Sequence, residues 1–162
     1  MRTSGTKLKS FSLAYCNIGD EGVKVVSEGL LESVTQLNLS GCGLSNEGVS
    51  MLSQVIRRHE EAWKDTLRYQ LPNFDRMSCL RRLTLNDNPL IDDEGVGIMA
   101  NTLESNVWVK GGSLSSFLAL DLQRCGITVR GAQSILDMLR LNTSLLVVDI
   151  RGNSISIFLL IF

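Results

Sequence analysis

Apolar positions return along this chain in two alternating rhythms. In "LKSFSLAYCNIGDEG", beginning at Leu8, they occupy positions 1, 4, 6 and 11 of a local frame, with cysteine at 9 and glycine at 15. "VTQLNLSGCGLSNEG" restarts the frame at Val34, 26 residues later. "LRRLTLNDNPLIDDEG" from Leu80 places Asn88 at position 9, Leu90 at position 11 and one extra residue before Gly95. "FLALDLQRCGITVRG" from Phe117 restores Cys125 and Gly131, and "LLVVDIRGNSI" from Leu145 opens a fifth copy with Asn153 at position 9. The period-two part of the frame turns its leucines to one side and predicts strands near 10–14, 36–40, 82–86, 119–123 and 147–151. After each glycine the period lengthens to about 3.6, which predicts a helix. The inward stripes read Val23, Val26 and Leu30; Val49, Leu52 and Ile56; Val96, Met99 and Leu103; and Ala132, Ile135 and Leu139.

A strand and a helix of this size cannot bury their apolar sides alone, so the copies must stack on one another. The pattern L-x-x-L-x-L-x-x-N/C-x-L resembles the leucine-rich repeat in its long, ribonuclease-inhibitor-like form. The expected fold is α/β: a right-handed leucine-rich repeat solenoid with parallel strands on the concave face and helices on the convex face. Residues 1–162 read as one domain of about five repeats, with an insertion at 57–78 and an aberrant apolar tail at 154–162.

The insertion breaks the spacing. Val34 and Leu80 stand 46 residues apart where about 26 to 28 would suffice. "RRHEEAWKDTLRYQLPNFDRM", residues 57–77, supplies the excess and holds the only histidine. Apolar spacing continues through Leu52, Ile56, Trp63 and Leu67, so the second helix should run to about Tyr69 before Pro72 stops it. Its arginines and aromatic residues are types enriched at protein contacts. Arg57, Arg58, His59, Glu61, Trp63, Arg68 and Tyr69 are therefore candidate partner-binding residues, with a plain solvated hairpin as the alternative. His59 also lies in the apolar stripe, which suits packing better than catalysis.

Composition narrows the chemistry. Sixteen basic and 17 acidic residues leave a formal charge of −1 and no broad field for nucleic acid. The start lacks the apolar core of a secretory signal, so a cytosolic chain is expected. The tail "SISIFLLIF" is too short to span a bilayer, so no membrane partner is expected. It reads as the product of truncation or alternative splicing, or as an apolar cap over the solenoid end. Cys16, Cys42, Cys79 and Cys125 lack C-x-x-C spacing and are expected to be reduced, mostly buried thiols, three of them explained by frame position 9. "DDEG" at 92–95 stands where carboxylates cap a helix, and "VKGGS" at 109–113 lacks a phosphate-loop fingerprint. No catalytic residue, metal, cofactor or small-molecule substrate is expected. What remains is a binding face: Ser12, Asn38, Thr84, Asp121 and Asp149 at frame position 5, beside Tyr15, Asn86, Asp87, Arg124 and Arg151 at positions 7 and 8.

"LKSFSLAYCNIGDEG", "LNLSGCGLSNEG", "RRHEEAWKDTLRY", "CLRRLTLNDNPLI" and "LALDLQRCGIT" together resemble the leucine-rich repeat domain of a family of centrosomal proteins, from about Leu8 to Asn153. Arg57, Arg58, His59, Glu60, Glu61, Trp63, Leu67, Arg68 and Tyr69 match its insertion individually. The resemblance implies a non-enzymatic scaffold or adaptor of centrioles and ciliary basal bodies, acting in cilium formation and centriole control. It implies centriolar or ciliary proteins and ubiquitin-ligase components as partners. The chain departs from the family at "GGSLSSFL", 111–118, and at the tail. The repeats alone leave another class open, a regulator of an enzyme such as a GTPase activator or a ribonuclease inhibitor.

Overall fold

Each strand needs only three extended residues around the apolar side chain at frame position 4. β1 (Ser10–Ser12), β2 (Gln36–Asn38), β3 (Arg82–Thr84), β4 (Ala119–Asp121) and β5 (Val147–Asp149) follow this rule. They form one sheet in chain order, all parallel, with Phe11, Leu37, Leu83, Leu120 and Val148 in register. The computed structural model describes residues 8–29, 34–69, 80–104 and 117–155, without the side chains of 62–69. The strands are two residues shorter than their spacing predicts, but the hydrogen bonding between repeats continues past them. Leu39 N–H donates to Thr84 O at 2.8 Å and Gly41 N–H to Asn86 O at 2.9 Å, and the same pattern recurs at Leu85 and Asp87.

On the other side α1 (Gly19–Gly29), α2 (Asn46–Tyr69), α3 (Asp93–Glu104) and α4 (Val129–Leu141) pack consecutively. Between helices and sheet runs one hydrophobic core, in which Leu37, Leu39, Leu44, Leu52, Leu83, Leu85, Ile91, Leu120 and Ile127 are almost wholly enclosed. Repeats two to four are buried from both sides. The outer ones are half open: Leu8 is 47% and Val147 47% exposed. That gradient is what a one-dimensional stack produces, since among the described residues the outer copies have a single neighbour.

The helical stripes hold for α2 and α3, and for Val23 and Val26 of α1; Leu30 lies outside the described residues. In α4 one assignment is corrected. Met138 is 1% exposed while Leu139 is 40% exposed. Leu136 and Leu139 lie on the flank of the last described helix, where no further described helix packs against them. A second correction concerns the extra residue of repeat three. Leu90 is 63% exposed and Ile91 fills the core slot, because Asn88 O accepts the Ile91 N–H at 3.0 Å and the turn absorbs Pro89 and Leu90.

Frame position 9 joins the repeats. Asn88 Oδ1 accepts the N–H groups of Cys42 and Leu44, and its Nδ2 donates to the carbonyls of Leu39 and Leu85. Asn153 does the same for Cys125 and Leu122. A cysteine there does less, donating weakly backwards: Cys42 Sγ to Leu13 O and Cys125 Sγ to Leu85 O. Cys16, Cys42 and Cys125 are free thiols; Cys79 is outside the described residues. Cys42 is buried and Cys125 partly so, but Cys16 is exposed, contrary to the expectation of burial, because among the described residues no repeat precedes it.

Candidate functional site

A parallel strand that must turn sharply toward a helix needs one residue of left-handed backbone. Here that residue is frame position 8 in every repeat: Tyr15 (φ 61°), Gly41 (φ 60°), Asp87 (φ 59°), Arg124 (φ 50°) and Gly152 (φ 74°). Glycine takes this conformation without strain, whereas tyrosine, aspartate and arginine are strained there. Those three side chains are bonded to one another. Tyr15 Oη donates to Asp87 Oδ2 at 2.8 Å, and Arg124 donates to both Asp87 oxygens, at 2.5 Å and 2.8 Å. The glycines make the bonding possible. A Cβ on Gly41 would lie 2.3 Å from Tyr15 Cδ1, so the tyrosine ring crosses repeat two over the bare backbone to reach repeat three. A Cβ on Gly152 would lie 2.7 Å from Arg124 Cγ, so the arginine stem rests on repeat five. Hydrogen bonds thus join repeats one, three and four in one ridge, which lies across the bare backbone of repeats two and five.

The electrostatics follow. The Arg124 guanidinium and then the Tyr15 hydroxyl hold the Asp87 carboxyl at about 2. Asp87, first as acceptor and then as charge, raises both the Tyr15 phenol and the Arg124 guanidinium above their ordinary values.

The rest of the predicted ladder is also paired within the chain. Asp121, 5% exposed, accepts from Arg82 Nη2 at 2.8 Å and Thr84 Oγ1 at 3.0 Å. Asp149 accepts from Arg151 Nη2 at 2.6 Å and Gln123 Nε2 at 2.8 Å, and Arg151 above all keeps its carboxyl below the usual range. Asn86 Oδ1 takes the Gln123 N–H, and Asn38 Oδ1 takes the N–H and hydroxyl of Ser40. The sheet face therefore presents matched, pre-oriented pairs rather than bare charge. Its first half differs: Ser10, Ser12, Gln36, Asn38 and Thr84 line a recess of about 330 Å³ bounded by Arg82.

The insertion begins where its periodicity places it. α2 has 24 residues against 12 in α3, so it runs roughly 36 Å at about 1.5 Å per residue, with helical backbone to Tyr69. Arg57, Arg58 and Glu61 are exposed. His59 is half buried, and its Nδ1 accepts the Leu80 N–H at 3.3 Å, which ties α2 to the start of β3. Trp63, Arg68 and Tyr69 stand on the extended helix, and their side chains lie outside the described residues, as do residues 70–79, 105–116 and 156–162.

The sequence reading overlooked one set of residues, placed two before the frame glycine in each of the first three repeats. Asp20 Oδ1 accepts the N–H groups of Ser45 and Gly48 at the start of α2, while its Oδ2 takes the Ser45 hydroxyl. Asp93 does the same for Thr128 and Gly131 at α4. Asn46 exchanges hydrogen bonds with Asp92 at α3. Burial pushes the Asp93 carboxyl up, but the Thr128 and Gly131 donors outweigh it and leave it lowered. The recurrent glycine is explained by this bracing. A Cβ on Gly48, Gly95 or Gly131 would lie 2.3 to 2.6 Å from the bracing oxygen. "DDEG" is accordingly a capping segment: Asp92 serves its own helix through Glu94 N–H, and Asp93 serves the next. The signal was present in "GDEG", "SNEG" and "DDEG", which share an acid or amide two places before glycine.

Among the described residues no group of three or more His, Cys, Asp and Glu side chains is placed to hold a metal, and no helix is long and apolar enough to cross a membrane. Comparison with known proteins agrees with the repeat architecture. Residues 6–27, 31–53, 76–97 and 113–136 match the Leucine Rich repeat family. Centrosomal protein of 78 kDa from Mus musculus is 40% identical over 158 residues, 93% of this chain and 19% of that protein. The Homo sapiens protein of the same name is 41% identical over 153 residues, 90% of this chain and 21% of its own length. Ribonuclease inhibitor from Mus musculus is 26% identical over 136 residues, covering 82% of this chain and 24% of that inhibitor. The chain thus spans about a fifth of the centrosomal relatives. With five strands stacked in register and the repeat profile matched over more than half its length, the chain belongs to the leucine-rich repeat family.

Proposed function

We propose that this chain is a protein-binding module of a non-enzymatic centrosomal scaffold or adaptor, acting in centriole control and cilium formation. The observation that carries the reading is similarity at 40–41% identity over nine-tenths of the chain to proteins named for the centrosome. The geometry supports a binding role. Matched polar pairs on the sheet face keep their orientation before a partner arrives, which reduces the ordering cost of association. The exposed Arg57, Arg58 and Glu61 on the lengthened α2 offer a second edge, with Trp63, Arg68 and Tyr69 further along the same helix. Centriolar or ciliary proteins, and components of a ubiquitin ligase, are the partners we propose.

The test is proximity labelling of the intact protein in ciliated cells, with and without residues 57–77. Centriolar proteins should be labelled, and the deletion should reduce that labelling. The paired change Arg58→Glu with Arg68→Glu should do the same without lowering Tm. Labelling unaffected by either change would remove the insertion from the reading. Absence of centrosomal enrichment in the unchanged protein would overturn it. Catalytic acceleration of GTP hydrolysis, or stoichiometric inhibition of a ribonuclease, would favour an enzyme regulator instead.

A further inference from the structure

The helix side of the first two repeats holds a groove that the sheet-face ladder does not involve. α1 brings Lys24, Ser27 and Glu28 onto one face at i, i+3, i+4 spacing, and α2 brings Met51, Arg57 and Arg58 opposite them. The recess between the two helices measures about 580 Å³.

Two independent features separate it from the rest of the surface. The first is charge. Arg82, Arg124, Arg140 and Arg151 each hold an aspartate of this chain, whereas the cluster of Lys24, Arg57 and Arg58, like the isolated Arg130 on α4, forms no ion pair among the described residues. Among the described residues, three unpaired cations line the groove beside a single acid, Glu28. The second is a hydroxyl. Ser27 Oγ is buried and has no hydrogen-bond partner among the described residues. Buried polar groups are nearly always satisfied, so this enclosed, unmatched donor gains a partner by rotating toward an acceptor seated in the groove.

We infer that this groove binds an acidic segment of a partner protein, with carboxylates on Lys24, Arg57 and Arg58 and a backbone carbonyl accepting the Ser27 O–H once that hydroxyl rotates toward the groove. The inference rests on the scaffold reading and supplies the chemistry of one partner. Glu28 decides between classes of polyanion. A membrane surface or nucleic acid would press a dense array of phosphates against that carboxylate, and the chain's net charge of −1 provides no wider field to compensate. A peptide spaces its carboxylates and can turn a donor toward Glu28. Met51 gives the groove an apolar wall against which aliphatic stems can lie.

The experiment uses the 162-residue chain and a fluorescein-labelled peptide of Glu-Ser repeats, read by anisotropy. Binding should be saturable and weaken with salt. Arg57→Glu with Arg58→Glu should weaken it about tenfold or more, and Lys24→Glu on the facing helix should do likewise. Arg140→Glu on α4 controls for overall charge and should leave it within about twofold. Ser27→Ala should lower affinity severalfold while leaving Tm unchanged or higher, a combination that a purely structural serine would not give. No binding of the peptide, an equal loss with Arg140→Glu, or tighter binding of phosphatidylserine vesicles or single-stranded DNA than of the peptide would each overturn the inference. Centrosomal enrichment of the intact protein is read in parallel. Enrichment without peptide binding removes the groove alone, and absence of enrichment removes the scaffold reading.

Discussion

Asp87 shows how much one residue of this fold is asked to do. It closes a turn in the left-handed region, accepts from Tyr15 two repeats before it and holds Arg124 one repeat after it. Its carboxyl sits at about 2 in the folded chain against an ordinary 3.8. A carboxyl lowered by folding stabilises the protein above its unfolded value, and that contribution disappears as pH falls through the folded value. The ridge should therefore loosen as pH drops from about 4 toward 2. Carbon-detected NMR of the Asp87 carboxyl should give a midpoint near 2, and Arg124→Ala should raise it toward 3.8, more than Tyr15→Phe does. An unshifted midpoint in Arg124→Ala would mean that the pairing does not persist in solution. None of this was legible in the frame, which identifies Tyr15, Asp87 and Arg124 as outward-facing but not as partners. The pairing depends on the bare backbone of Gly41 and Gly152, and a repeat pattern marks glycine without saying which neighbour crosses it.

At the level of elements, periodicity carried the strands, the helices and the lengthened α2, because apolar spacing and burial are the same physical fact seen twice. It failed where neighbours decide. Leu139 has the right spacing but faces the flank of the last described helix, and Leu90 has the right frame number but lies on the far side of an inserted residue. The two faces of α2 should separate experimentally. Ile56 is 3% exposed and lies in the core, so Ile56→Ala should cost about 2–5 kcal/mol in urea unfolding. Arg57→Ala and Arg58→Ala, on the outer face, should each cost less than about 0.5 kcal/mol. A large loss from either arginine would show that the insertion packs back on the repeats, and would leave those residues unavailable to a partner.

The molecule as a whole is a stack whose interior is better sealed than its ends. Amide hydrogens at Leu39 and Leu85, which bond between buried repeats, should exchange most slowly; Leu13 and Leu146, at the two outer copies, should exchange faster. Leu141, Leu146 and Val147 leave an apolar surface at one end and Leu8 and Val25 at the other. The isolated chain should accordingly self-associate as concentration rises, a behaviour that sedimentation velocity would reveal. Monomeric behaviour at high concentration together with uniform exchange protection would contradict this view.

The bracing residues also give the stack a direction in time. Asp20, Asn46 and Asp93 each precede in the chain the helix they hold, so a polypeptide emerging N-terminus first has every acceptor in place before the N–H groups that need it are made. The asparagines at Asn88 and Asn153 reach the other way, each closing on backbone laid down one repeat earlier. Growth from the first repeat onward therefore meets prepared bonds at each addition. Losing the leading repeat strips α2 of Asp20, whereas shortening the chain from the far end leaves the bracing of all earlier helices intact.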